Sequence, residues 1–195
     1  MNKATYNLIV TILVLIIVIG GGTLLYNSLQ DRVSLSTPET TVPSSEQPDE
    51  SVTAPLNPAP DFTVIDSSEG VWKLSDFLGK PVLLNFWSSN CPPCKAEMPL
   101  LQKAWETYGD QIQFMIVNLT DGYNDTFASA MKVIEENQYT FPVFFDTDSQ
   151  GAIAYSIYSI PMTFFIDENG GIVGEHLGML NEQTLESGIQ SILPD

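Results

Sequence analysis

The sequence predicts a layered α/β domain, a sheet covered by helices on both faces, carried behind an N-terminal transmembrane helix. Three observations predict it: a long uncharged apolar run near the start, a polar proline-rich stretch after it, and a regular alternation of strand-like and helix-like segments over the remainder.

The apolar run has no charged residue from Ala4 to Gln30, and its core from Leu8 to Leu25 is dominated by Leu, Ile and Val. As a helix that core spans roughly 27 Å, close to the hydrocarbon thickness of a bilayer. Tyr6 and Tyr26 bracket it at the expected interfaces. A cleaved signal peptide is the rival reading, but its apolar region is shorter and ends in an A-x-A pattern that is not found here. Lys3 and the terminal amine form the only positive end, which places the N-terminus in the cytoplasm and the rest of the chain outside a single-pass cytoplasmic-membrane anchor. Residues 1–30 are therefore read as anchor. Residues 31–58 are rich in Pro, Ser, Thr and Glu and lack aromatics, so they bury too little apolar surface to offset the entropy of ordering. They read as a flexible tether, on the order of 100 Å when extended. Residues 59–195 form the domain.

Within that domain the expected elements run in order. Asp61 to Asp66 reads as a strand and Val82 to Trp87 as a continuous apolar run of the kind found in buried central strands. Pro92 to Tyr108 carries helical spacing, Ile112 to Leu119 is a second buried strand, and a helix lies near Asp125 to Asn137. A strand at Val143 to Phe145 and a short helix from Gln150 to Ile157 follow. Strands at Met162 to Ile166 and Ile172 to Leu177, joined by a turn at Gly170 and Gly171, precede a last helix from Glu182 to Leu193.

Twenty-four acidic side chains against seven basic ones leave a net charge of −17, which excludes broad attraction to nucleic acid or to anionic lipid. The chemistry lies in the two cysteines, Cys91 and Cys94, spaced C-x-x-C between a buried strand and a helix. A helix N-terminus offers unpaired N–H groups and the positive end of the dipole, which stabilise a thiolate at the first cysteine. Pro92 and Pro93 suit the first turn, where a missing N–H costs little. Cys94 lies about one turn on, within reach to resolve a mixed disulfide. Half a zinc site or an inert structural disulfide are the alternatives, but zinc needs two further ligands and only His176 is of a suitable type besides the pair. Pro161, opening an apolar strand after Ile160, is compatible with a cis peptide that offers Ile160 backbone groups to a substrate chain; an ordinary trans turn proline is the alternative.

The segments NFWSSNCPPCKAEMP, FPVFFDTDSQGAIAYSI and IPMTFFIDENGGIVGEHLG, with the apolar N-terminus, resemble the thioredoxin superfamily and within it the membrane-anchored TlpA/ResA-like thiol-disulfide oxidoreductases, over about Ala59 to Leu193. The resemblance implies a thioredoxin fold, a central mixed sheet flanked by helices, with Cys91 as nucleophile, Cys94 as resolving thiol and Pro161 as the cis-proline. It implies reduction of extracytoplasmic protein disulfides, such as those of apocytochrome c, with electrons from a membrane thiol carrier and no cofactor. Where soluble thioredoxins carry a buried aspartate this chain has Asn85, which accepts no proton at neutral pH. Glu97, matching a glutamate of the ResA-like group, is the candidate to tune the thiols, against the alternative of an exposed acid near a helix start. Trp87 is a candidate to shield the disulfide and contact substrate, or a simple core residue. The rival function is a copper-binding assembly protein on the same fold, using both thiolates and His176, although such proteins resemble CxxxC rather than CxxC. A peroxidase is weaker still, because the pattern expected around a peroxidatic cysteine is absent beside Cys91.

Overall fold

The computed structural model of the chain describes residues 57–194; the expected membrane anchor and nearly all of the expected tether lie outside the described residues. Among the described residues no helix is long and apolar enough to cross a membrane.

Seven strands form one mixed sheet in the order β2-β1-β5-β4-β3-β6-β7. In chain order these are β1 (Thr63–Asp66), β2 (Val71–Lys73), β3 (Val82–Trp87), β4 (Gln113–Asn118), β5 (Val143–Phe145), β6 (Met162–Ile166) and β7 (Ile172–Leu177). The helices are α1 (Pro92–Tyr108), α2 (Phe127–Glu136), α3 (Gln150–Ala154) and α4 (Glu182–Ile192). β3 pairs parallel with β4 and antiparallel with β6, and every one of its residues is buried. Because both faces of this central strand are buried, its sequence is an unbroken apolar run apart from Asn85 rather than an alternation.

Both faces of the sheet are covered. On one, Cys94, Met98, Leu101 and Ala104 of α1, Ala130 and Ile134 of α2, and Leu185, Ile189 and Ile192 of α4 pack with Leu83, Phe114, Ile116 and Phe165. The stripe on α1 recurs at intervals of three and four, one face of a helix. On the other, Tyr155 beside α3, Leu74 and Phe62 cover Leu84, Phe86, Met115 and Phe164. Phe62, Phe86 and Phe164 all lie within 6 Å of the Tyr155 ring.

Differences from the sequence reading have local causes. β2 and the 3-10 turn Leu74–Phe77 were not expected, since β2 is three exposed residues with no apolar alternation. It forms because Asp66 builds a tight turn, its Oδ1 accepting from the Ser68 and Gly70 amides at 2.7 and 2.8 Å and its Oδ2 from the Trp72 indole at 2.7 Å. α2 begins at Phe127 because Thr126 and Ser129 form a reciprocal capping box. α3 stops at Ala154 rather than Ile157, and Ser156 takes a left-handed φ of 51° that ends any helix there. α1 continues through Pro99 to Tyr108.

Gly188 on α4 sits against the Phe165 ring so closely that an added Cβ would collide with it. Alanine gains up to about 1 kcal/mol in helix propensity, but overpacking costs about 1–3 kcal/mol. Gly188→Ala is therefore expected to lower stability, by about 1–2 kcal/mol in chemical denaturation; a more stable variant would show that the α4–sheet contact is loose.

Candidate redox site

The site is built where β3 ends. After Trp87 the chain turns, the Cys91 amide donating to the Ser88 carbonyl at 3.1 Å, and Cys91 becomes the N-cap of α1. Pro92 and Pro93 occupy the first turn and have no N–H to give. The first amide that does face the sulfur is that of Cys94, donating to Cys91 Sγ at 3.2 Å. Cys91 and Cys94 are joined as a disulfide, with Cα atoms 5.3 Å apart. Cys91 is the more open of the two, 9 % exposed against 1 % for Cys94.

Opposite the pair stands the start of β6. The Ile160–Pro161 peptide is cis, and the Ile160 carbonyl oxygen lies 3.8 Å from Cys91 Sγ. Pro161 is held from behind, its carbonyl accepting the Gly178 amide at 2.8 Å. Trp87 is fully buried, in the core cluster that also contains both cysteines.

Glu97 lies one turn beyond Cys94 on the buried face of α1 and is only 2 % exposed, which removes the exposed-acid alternative. Its Oε2 accepts the Leu180 amide at 2.7 Å and its Oε1 accepts Asn85 Nδ2 at 2.9 Å. Asn85 Nδ2 also donates to Thr163 Oγ1 at 2.9 Å, a bond that follows from the pairing of Asn85 with Thr163 across β3 and β6. Burial pushes the Glu97 carboxyl above the usual carboxylate range, and the Leu180 and Asn85 hydrogen bonds oppose but do not cancel this. A proton-accepting group thus lies on the same buried helix face as Cys94, where Asn85 itself accepts none.

A second buried acid carries no signal in the sequence. The sequence predicts only a helix start at Asp125, yet it is 2 % exposed, sits beside the loop leading to Cys91 and accepts from Ser89, Asn118 and Ser129. Nothing in its local sequence, NDTF, distinguishes it from a helix-start acid, since its Ser89 partner is thirty-six residues earlier. Burial pushes its carboxyl up, but the hydrogen bonds from Ser89, Asn118 and Ser129 outweigh that and leave it below the usual range.

His176 lies on β7 opposite Thr163. Among the described residues no group of three or more His, Cys, Asp or Glu side chains is placed to hold a metal ion.

Residues 55–174 match the AhpC/TSA family. The chain is 34 % identical over 137 residues to the thiol-disulfide oxidoreductase ResA of Geobacillus kaustophilus, covering 70 % of this chain and 76 % of that protein. Among solved structures, a putative thiol:disulfide interchange protein DsbE from Chlorobium tepidum superposes with a TM-score of 0.64 at 33 % identity, covering 71 % of this chain and 96 % of that one. StoA from Bacillus subtilis superposes with a TM-score of 0.59 at 26 % identity, covering 67 % and 97 %. With a redox-active cysteine pair at the N-terminus of α1 and relatives of this kind over most of its length, the chain belongs to the ResA-like thiol-disulfide oxidoreductases of the AhpC/TSA family.

Proposed function

We propose that this oxidoreductase is a membrane-anchored, extracytoplasmic reductase of protein disulfides, with apocytochrome c among its clients and a membrane thiol carrier as its source of electrons. The observation that carries the reading is the Cys91–Cys94 disulfide at the start of α1 with the Ile160 carbonyl beside the more open sulfur. The apolar run from Leu8 to Leu25 supports the anchor, and relatives named ResA support the chemistry.

In the reducing direction the Cys91 thiolate attacks one sulfur of the client disulfide, forming a mixed disulfide and releasing the first client thiolate. Cys94 then loses its proton and attacks Cys91 Sγ, forming the internal disulfide and releasing the second client thiolate. Two electrons pass from the pair to the client, and a carrier dithiol restores the pair by the same steps in reverse. An extended client segment laid along Ile160 and Pro161 brings its sulfur to Cys91. The two prolines withhold amides from Cys91 and leave the Cys94 N–H as the donor of that first turn. Fewer donors make a less acidic thiol, which favours a reductant over an oxidant. Glu97, one turn beyond Cys94 and raised in pKa by burial, is suited to tune proton uptake and release at the pair.

Replacing Cys94 with Ser in the full-length chain removes the resolving thiol. Mixed disulfides with exported CxxC proteins should then accumulate on Cys91, be released by dithiothreitol, and be absent when Cys91 is Ser as well. Adducts confined to cytoplasmic proteins, or unaffected by loss of Cys91, contradict the reading.

The raised pKa of Glu97 carries a stability signature with a definite sign. A carboxyl raised in the folded state stabilises fully below its unfolded pKa, ordinarily 4.5, and that contribution is lost as pH rises through the folded value. The stability of Glu97→Gln minus that of the wild type should therefore rise with pH above about 4.5, by at most about 1.4 kcal/mol per pH unit, and level off beyond the raised pKa. A pH-independent difference in urea titrations would show that the carboxyl is not perturbed.

A further inference from the structure

The two cysteines hang from different supports. Cys94 is inside α1 and shares its buried face with Glu97, which is bonded to Asn85 of β3 and to the Leu180 amide before α4. Cys91 precedes the helix, at the end of the Ser88–Asn90 turn, and that turn is fastened elsewhere. Asp125 Oδ2 accepts the Ser89 amide at 2.5 Å and Asn118 Nδ2 at 2.9 Å, while Oδ1 accepts the hydroxyls of Ser89 at 2.6 Å and Ser129 at 2.7 Å. The next residue of the turn adds a further tie, Asn90 Nδ2 to the Asn124 carbonyl.

Asp125 is itself held. Asp121 Oδ1 accepts the amides of Tyr123, Asn124 and Asp125 at 2.8, 2.6 and 3.0 Å, and the Gly122 amide closes back on the Asp125 carbonyl at 2.9 Å. The β4–α2 connection is thus a fixed block, and Asp125 is its attachment to the cysteine loop. Capping of α2 does not require it, because Thr126 and Ser129 exchange hydrogen bonds of 3.1 and 2.9 Å by themselves.

We propose that Asp125 is a positioning residue for disulfide exchange, a buried carboxylate that pins the Ser88–Cys91 loop to the β4–α2 connection and so fixes the Cys91 sulfur relative to Cys94. Closure of the internal disulfide depends on the effective concentration of one sulfur at the other, set by how rigidly their two supports are related. Freeing one support disfavours the ring. The carboxylate also places a negative charge near the Cys91 loop, which disfavours the thiolate of the reduced pair. Loss of Asp125 therefore shifts the balance towards the dithiol on both counts.

The inference rests on the thiol–disulfide chemistry described above, and one set of measurements separates the two. Full-length wild type, Asp125→Ala, Asp125→Asn, Ser89→Ala and Thr126→Ala are equilibrated with glutathione and dithiothreitol redox buffers, and their melting is recorded. Asp125→Ala should lower the equilibrium constant for oxidation of the pair by at least tenfold, a rise of about 30 mV in potential. Asp125→Asn should shift it less and in the same direction, because the Ser89 and Ser129 hydroxyls can turn to accept from the new amide. Thr126→Ala, which loses only the α2 cap, should melt earlier with an unchanged constant. If the Asp125 variants stay within twofold of wild type however much earlier they melt, the residue is merely structural and the proposal is overturned. Should Asp125→Ala fail to fold, Asp125→Asn and Ser89→Ala decide by the same criterion. A wild type that exchanges with neither glutathione nor dithiothreitol overturns the underlying chemistry, and the proposal with it.

Discussion

The structure depends on the position of β3, wholly buried and paired on both sides. Its end delivers Cys91 to the start of α1. Its antiparallel partner β6 begins at Met162, immediately after the cis Ile160–Pro161 peptide, and its parallel partner β4 ends at Asn118, which binds Asp125. Three segments distant in sequence meet at one end of the sheet because these registers bring them there. A slip of β6 by one residue would turn Thr163 to the opposite face and break its bond to Asn85.

Two buried carboxylates bracket the cysteine pair, and their environments push them in opposite directions. Glu97 accepts two hydrogen bonds, from Leu180 and Asn85, too few to offset burial, and its proton affinity rises. Asp125 accepts four from Ser89, Asn118 and Ser129, and its proton affinity falls. The number of donors therefore separates a group suited to exchange a proton from one suited to stay charged and hold a loop. The same reasoning applies to Cys91, where the prolines leave one amide, that of Cys94, facing the sulfur.

Much of this was legible in the sequence because it was written in local patterns. The apolar run Val82 to Trp87, the helical spacing of Pro92 to Tyr108 and the strand Met162 to Ile166 all appear with the limits that periodicity implies. CPPC between a strand and a helix announced its chemistry for the same reason. β2 was illegible because its three residues are exposed and owe their pairing to the Asp66 turn. Burial of Glu97 could not be distinguished from exposure by its position near a helix start, since what buries it is the Leu180 segment eighty-three residues later. Asp125 was hidden for the equivalent reason, its partner Ser89 being brought to it by the parallel pairing of β3 and β4.

The proposed reducing direction of the Cys91–Cys94 couple is tested by the reduction potential of the purified protein in glutathione and dithiothreitol buffers. A value at or below that of thioredoxin, about −270 mV, is the result expected of a reductant fed by a thiol carrier. A value near that of the oxidant DsbA, about −120 mV, would contradict it and make the chain a disulfide donor.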